Sequence, residues 1–290
     1  MSEQVCKADM GGDRAAVVDT YGYPVETTGN AVLDILEHRS STRAFARDDN
    51  DCPVAVTDEQ RAAILHAASR APSAGAMMMY SIVSIREQTM LDRLADLCDH
   101  QPMIAKAPWT LIFVVDYAKW IDLFEHVGCF EPEFVERTGK SPRRAPGLGD
   151  FAIAAQDAVI AAQNAVVAAE ALGLGSCYIG DIVENAEEVA GLLDLPPYTM
   201  PLSMLIIGTP RKERPAIAHP VVNLVHEERY CRADAATMDA QVAEMDAMFR
   251  PHAREVGGRV VDIYTRKHTS PFMAEMSRSM EWWFKNWLGK

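Results

Sequence analysis

Three short segments concentrate side chains suited to holding a ligand. Arg39-Ser40-Ser41-Thr42-Arg43 places two guanidinium groups and three hydroxyls within five residues, and Arg forks with Ser or Thr hydroxyls grip a phosphate in a fixed orientation. Ala71-Pro72-Ser73-Ala74-Gly75-Ala76-Met77-Met78-Met79-Tyr80 is a run of small residues leading into thioethers and an aromatic. Small residues let a flat ring approach the main chain, and Met sulfurs contact aromatic faces well. Leu172-Gly173-Leu174-Gly175-Ser176-Cys177-Tyr178-Ile179-Gly180-Asp181 offers glycines whose N–H groups can face a ligand. Taken alone, the first is a polar helix exit and the second a turn entering the core, so the ligand reading needs their combination.

Other site signatures are absent from the sequence. Gly173, Gly175 and Gly180 are wrongly spaced for G-x-G-x-x-G, and there is no phosphate-binding G-x-x-x-x-G-K-[ST] loop, no G-x-S-x-G elbow and no H-E-x-x-H pair. His219 and His226 form a weak pair that reads as surface, and no metal is expected. The six cysteines stand far apart without a Cys-x-x-Cys pair, so they are expected to be buried free thiols in a reducing compartment. A net charge of -13 opposes binding to nucleic-acid phosphates or anionic lipid. With 290 residues, 49% of them hydrophobic, the chain can bury a full core. The N-terminus, MSEQVCKADMGGDR, mixes charges without an apolar segment, which gives a cytoplasmic expectation.

Alternating helices and strands must carry the three segments. Residues 1–29 show no sustained period and read as an arm. A first helix is expected from Asn30, its N-cap, to about His38, and a second from the Thr57/Gln60 capping box, with Ile64, Leu65 and Ala68 inward, until Pro72. Tyr80 to Ile85 reads as a strand, Thr89 to Cys98 as a helix, and Trp109 to Asp116 as a strand buried on both faces. Residues 117–149 show no clear period and suit an irregular substrate-side loop. Phe151 to Leu174 is an apolar, Ala-rich helix interrupted by Gln156, Asp157, Gln163, Asn164 and Glu170 in a narrow wet stripe. It is expected to form the core of one subunit or the seam between two, with Ala162 and Val166 as seam positions. Ser176 to Gly180 reads as a short strand, Asn185 with Glu188 as the cap of a helix ending near Leu195, and Met200 to Gly208 as a last strand. Two amphipathic helices close the chain, one aligning Met238, Val242, Met245 and Phe249, the other, from Ser270-Pro271, aligning Met273, Met276, Met280, Trp283 and Trp287.

The order of RSSTRAF (Arg39 to Phe45), APSAG (Ala71 to Gly75), IAKAP (Ile104 to Pro108), ALGLGSCYIGD (Ala171 to Asp181), IIGTP (Ile206 to Pro210) and VHEERY (Val225 to Tyr230) resembles the nitroreductase family. The resemblance covers residues 30–231 as the FMN-binding domain, leaving the arm 1–29 and a C-terminal helical extension 232–290. It implies an α+β sandwich with a central mixed sheet flanked by helices, dimerised through long helices, with FMN at the subunit interface.

Carried over by position, the resemblance implies that Arg39, Ser40 and Ser41 contact the FMN phosphate and ribityl chain and that Arg43 reaches the pyrimidine side, where a cation stabilises charge on the reduced ring. It places Pro72, Ser73, Ala74, Ala76 and Met78 along the flavin, and the main-chain amides of Ile179, Gly180 and Asp181 beside N5 and O4. Arg214 matches the basic residue that closes on the phosphate, with Arg211 and Lys212 as rivals. Ala76 and Met78-Met79-Tyr80 stand where family members commonly carry Asn and a Gln-Pro-Trp run, so the Asn bond to the pyrimidine is missing. The implied activity is a ping-pong oxidoreductase reaction, in which NADH or NADPH reduces the flavin and a nitroaromatic, quinone or activated alkene is then reduced. No protein acid or base is assigned. Reductive dehalogenation, flavin breakdown and a non-catalytic, flavin-binding regulatory dimer stand as alternatives.

Overall fold

The computed structural model describes residues 17–18, 24–25, 29–140, 143–212, 223–248 and 257–289. The chain divides into two compact units, Arg39–Arg214 with Ala274–Lys290, and Met1–His38 with Pro215–Met273. The first contains a four-stranded sheet; the second is small and mostly helical.

In the smaller unit, β1 (Val17–Val18) pairs antiparallel with β2 (Pro24–Val25), and α1 covers Ala31–His38. Asn30 caps α1 as expected, its Oδ1 accepting from the amides of Val32 and Leu33.

The larger unit begins at Arg39. Here α2 (Asp58–Ser69) starts at the expected capping box, in which Thr57 and Gln60 bond reciprocally. β3 (Tyr80–Ile85), α3 (Gln88–Leu97), α4 (Pro102–Ala105) and β4 (Trp109–Asp116) follow. Residues 117–149, expected to be irregular, contain α5 (Ala118–His126) and α6 (Pro132–Thr138). Their helical signal is short: Trp120 and Phe124 stack at i,i+4 with ring centroids 5.6 Å apart, and Gly139 ends α6 in a left-handed conformation.

The long helix α7 (Leu148–Ala171) leads to β5 (Gly175–Ile179), a single turn over Gly180–Val183, α8 (Ala186–Leu192) and β6 (Thr199–Gly208). The expected Asn185/Glu188 cap is not formed. Asn185 is left-handed at φ 47°, and its side-chain amide donates instead to the carbonyl of Leu97 at 2.8 Å, tying α8 to α3; the helix stops at Leu192, short of the expected Leu195.

Beyond residue 223, the smaller unit resumes with α9 (Ala235–Met248) and α10 (Arg259–Ile263), joined by Asp246, whose Oδ1 accepts from the amide of Arg259 at 2.6 Å. Of the expected α9 stripe, Met238 and Val242 are exposed, and Phe249 lies outside the described residues. The last helix, α11 (Pro271–Trp287), brings Trp283 and Trp287 into the larger unit.

The sheet order is β3-β4-β6-β5, and every hydrogen-bonded pair is antiparallel. A mixed sheet was expected from the resemblance. β4 and β5, joined by the α7 crossover, do run in the same direction, but β6 is inserted between them and pairs antiparallel with both. All eight residues of β4 are buried. Trp109, Leu111, Phe113 and Val115 pack on one side with residues of α2 and α7, while Ile112 and Val114 pack on the other with residues of α3, α4, α8 and Trp283. That alternation makes the sheet the middle layer of an α/β/α sandwich.

α7 is long and apolar enough to cross a membrane by length and composition. Its Ala154, Ala158, Ala161, Ala162, Ala165, Val166 and Ala169 are buried in the core of this chain against the sheet. Ala162 and Val166 are therefore core positions and not the expected seam positions. The stripe also divides. Gln156 and Gln163 are exposed among Ile153, Val159 and Ile160, whereas Asp157 is buried and Asn164 donates to the carbonyl of Ala67 on α2 at 3.1 Å. Of the cysteines described, Cys98 and Cys177 are buried free thiols as expected, and burial pushes the Cys98 thiol up, but Cys52 and Cys231 are exposed.

Candidate functional site

The arginine loop lies across the β5 edge of the sheet. The amide of Thr42 donates to the carbonyl of Ser176 on β5 at 2.8 Å, that of Ala46 donates to Thr209 at 2.8 Å, and that of Arg211 returns a bond to Ala44 at 3.0 Å. Phe45 is buried over Gly208 at the end of β6. A Cβ on Gly208 would meet the ring of Pro108 at 2.5 Å and that of Phe45 at 2.8 Å, so only glycine lets the loop approach the strand this closely. The sequence segments RSSTRAF, IAKAP and IIGTP thus meet through Phe45, Pro108 and Gly208.

Within this loop Ser40 and Thr42 are buried, Arg39 and Ser41 are half-buried, and Arg43 is exposed. Among the described residues the buried Oγ1 of Thr42 has no hydrogen-bond partner, and such a group is one a bound oxyanion or water can satisfy. Downstream of the contact with Ser176, Ile179 is buried while Gly180 is exposed, with nothing within 4 Å of where a Cβ would stand. Asp181 accepts from the Gln101 amide at 2.8 Å, which directs its side chain toward α4. Arg214 lies outside the described residues, as does His219. Of the rivals to Arg214, Arg211 is fixed to the arginine loop by its main chain, and both it and Lys212 are exposed.

Tyr178 and Gln163 also belong to this end, although sequence reasoning did not single them out as site residues. The phenol of Tyr178 donates to Oε1 of Gln163 on α7 at 3.3 Å. Burial pushes that phenol up to about 12, and the nearby positive charge of Arg39 opposes the rise. The available signal was the i,i+7 recurrence of Gln156 and Gln163 on the stretch that feeds Tyr178 into β5.

The small-residue loop sits elsewhere. Pro72, Ala74, Ala76 and Met78 are exposed and Ser73 is half-buried. Gly75, Ala76 and Met78 all have positive φ, of 58°, 55° and 48°, a conformation that costs a residue bearing a Cβ about 1 to 2 kcal/mol. The loop keeps this shape through contacts that the sequence did not announce. Asp157 of α7 accepts from the amides of Ala74 and Met79, Ser73 Oγ accepts from the amide of Met78 at 2.7 Å, and the indole of Trp120 on α5 donates to the carbonyl of Met77 at 2.9 Å.

Along α7 the two loops have different anchors. The small-residue loop is bonded at Asp157, and the arginine loop at Ser176, beyond the end of the helix at Ala171. The helix between those anchors is about 20 Å long at 1.5 Å per residue. The structure brings the first and third sequence segments together at β5, while the second is tied to the middle of α7 at Asp157. An exposed apolar strip, Ile153, Val159 and Ile160, lies on the same helix, and with Leu202 of β6 its last two residues line a shallow groove.

A model of the nitroreductase family matches residues 36–209. The FMN reductase [NAD(P)H] of Bacillus subtilis is 32% identical over 215 residues, covering 73% of this chain and 79% of that protein. This chain belongs to the nitroreductase family. The oxygen-insensitive NADPH nitroreductase of Salmonella typhimurium is 32% identical over 195 residues, 65% of this chain and 74% of that one. The solved structure of NfrA2 from B. megaterium superposes with a TM-score of 0.68 at 26% identity, covering 86% of this chain and 97% of its own. The family match spans the Arg39–Arg43 loop, the Ala71–Tyr80 loop and the Tyr178–Asp181 segment.

Proposed function

We propose that the protein is an FMN-dependent oxidoreductase that takes reducing equivalents from NADH or NADPH and passes them to a small acceptor such as a nitroaromatic or quinone. The observation that carries this reading is the bond from the Thr42 amide to Ser176, because it places the hydroxyls and guanidinium groups of the arginine loop on the strand that ends at the open main chain of Gly180. Arg39, Ser40 and Ser41 would hold the phosphate end of FMN, with charge-assisted bonds from the guanidinium group. Arg43 would meet the pyrimidine side, and the amides of Gly180 and Asp181 the central ring. FMN supplies the hydride chemistry when bound, so the chain's part is to bind, orient and shield it, and no acid–base pair is required.

The working unit is a cytoplasmic homodimer. The exposed strip Ile153, Val159 and Ile160 of α7 is an apolar face along which two copies would meet, and the family resemblance puts FMN at that subunit interface. Pro72, Ser73, Ala74, Ala76 and Met78 would lie along the flavin there. Domain roles follow: residues 30–231 form the FMN-binding domain, 1–29 an arm, and 232–290 a helical extension. An absorbance spectrum of the purified protein, followed by NADH and NADPH oxidation with a nitroaromatic and a quinone, tests the reading. Flavin bands with turnover are expected. Absence of bound flavin after FMN is supplied would overturn it, and bands without turnover on any acceptor would favour the non-catalytic, flavin-binding alternative.

A further inference from the structure

Asp157 is the one charged residue among the eight buried residues of α7. Burying a carboxylate is unfavourable unless both oxygens find donors. Here Oδ1 accepts from the amide of Ala74 at 3.0 Å and Oδ2 from the amide of Met79 at 3.2 Å, across 83 and 78 positions of sequence. Those two amides bracket the stretch in which Gly75, Ala76 and Met78 are left-handed. Left-handed main chain is uphill for Ala and Met, so it persists only where its surroundings determine it. Ser73 and Trp120 each supply one further tie inside the bracket, whereas Asp157 closes both of its ends. The ammonium of Lys119, bonded to the carbonyl of Tyr80, is the nearby cation whose charge interacts with Asp157.

We propose that Asp157 is a positioning residue for the flavin: its carboxylate fixes residues 74–79 in the shape that presents Ala76 and Met78 to the ring. The inference rests on the FMN reading above. The carboxylate form matters because it is acceptor-only. An amide in its place has one acceptor and one donor, and the donor must confront either the Ala74 or the Met79 N–H. One end of the bracket is then released and the left-handed residues relax.

The test compares Asp157→Asn with Val166→Ala in the holoprotein. Val166 is also buried on α7 but stands nine positions further along the chain, so its truncation lowers stability without touching the loop. Asp157→Asn is expected to release FMN on dilution at least about 10-fold more readily, read as recovery of free flavin fluorescence, and to shift the midpoint potential of the bound flavin. Val166→Ala should lower the melting temperature while leaving both flavin readouts unchanged. If Asp157→Asn does not fold, Asp157→Glu takes its place: the carboxylate is kept on a longer arm that must push the loop outward, and both readouts should again move. Wild-type dissociation and potential in the Asp157 variant overturn the proposal, as does an equal change in Val166→Ala. A wild-type protein that cannot hold FMN sinks the flavin reading itself, which separates the two failures.

Discussion

The arginine loop and the small-residue loop achieve rigidity by different means. At the β5 end the arginine loop is held by main-chain bonds, Thr42 to Ser176, Ala46 to Thr209 and Arg211 to Ala44. Such bonds survive replacement of most side chains, so Arg39, Ser41 and Arg43 are free to be selected for the ligand. The loop of residues 73–79 also makes main-chain bonds, such as Met77 to Ala74 and Asp116 to Met79, but its left-handed stretch is tied to neighbouring elements by the side chains of Asp157 and Trp120 and braced by Ser73. A region fixed by side chains can be retuned by single substitutions, and it is where this chain carries Ala76 and the Met run. The comparison teaches that the arginine loop is a fixed frame and the small-residue loop an adjustable one.

The largest expected effects come from α11, which ties down the turn after β5 and the start of α7. The indole of Trp283 donates to the carbonyl of Val183, just past Gly180, at 2.9 Å, and that of Trp287 donates to the carbonyl of Gly147, at the start of α7, at 3.1 Å. Both rings are buried, and Trp287 packs edge-on against Phe151 at 5.2 Å. Trp283→Ala and Trp287→Ala should each cost about 3 to 5 kcal/mol in chemical denaturation, a large part of the stability of an ordinary domain. Deleting residues from Ser270 onward should remove both anchors and expose the apolar surface beneath them. Melting that is unchanged by the deletion would mark the helix as a detached tail and remove α11 from the comparison.

Next in size is the seam. Ile160→Arg places a charge on the open strip of α7, and if that strip is the dimer contact the substitution should weaken association by about 3 kcal/mol, more than 100-fold, while the monomer stays folded. Ala162→Arg, two residues away but fully buried, should unfold the subunit instead. Sedimentation velocity with circular dichroism distinguishes them. A dimer that withstands Ile160→Arg would place the seam elsewhere.

Arg39→Ala probes the fixed frame directly. Removing a guanidinium from a phosphate costs about 1.5 to 3 kcal/mol, or roughly 10- to 150-fold in FMN affinity, with no loss of the main-chain bonds that shape the loop. Equal FMN content in mutant and wild type after dialysis would remove Arg39 from the phosphate.

The same division explains what the sequence made legible. Thr57 with Gln60, and the β-forming run from Trp109 to Asp116, are signals contained within a few residues, and the structure realises both. Asn185 with Glu188 has the same local form but fails, because the Asn185 amide is claimed by Leu97, 88 positions away. In the stretch 117–149, short helices ended by local turns left no long period to detect. At the candidate site, the Arg39–Arg43 and Tyr178–Asp181 segments were visible because their chemistry is written in consecutive residues. Asp157 and Trp120 were not, since each acts on a loop about 40 to 80 positions away, and nothing in the helical stripe distinguished the buried Asp157 from the exposed Gln156 beside it.

The smallest expected effect lies at Ala76, in the adjustable loop. Its φ of 55° is unfavourable for alanine, tolerated by asparagine and free for glycine. Ala76→Gly and Ala76→Asn should therefore both ease main-chain strain, and by themselves these gains would appear as small rises in melting temperature. Only asparagine adds a hydrogen-bonding side chain. If position 76 faces the flavin pyrimidine, Ala76→Asn should tighten FMN by about 0.5 to 1.5 kcal/mol, or roughly 2- to 13-fold, and shift the flavin potential, because a bond to that edge does not weigh equally on the oxidised and reduced rings. Ala76→Gly relieves the same strain without the bond, so its effect on affinity and potential measures how much of any change comes from the loop alone. The measurements are a fluorescence titration of apoprotein with FMN and a potentiometric titration of all three proteins. Matching shifts in Ala76→Asn and Ala76→Gly would mean that the asparagine touches nothing and that the strained main chain alone sets the flavin's environment. A potential unmoved by either would take the loop away from the ring.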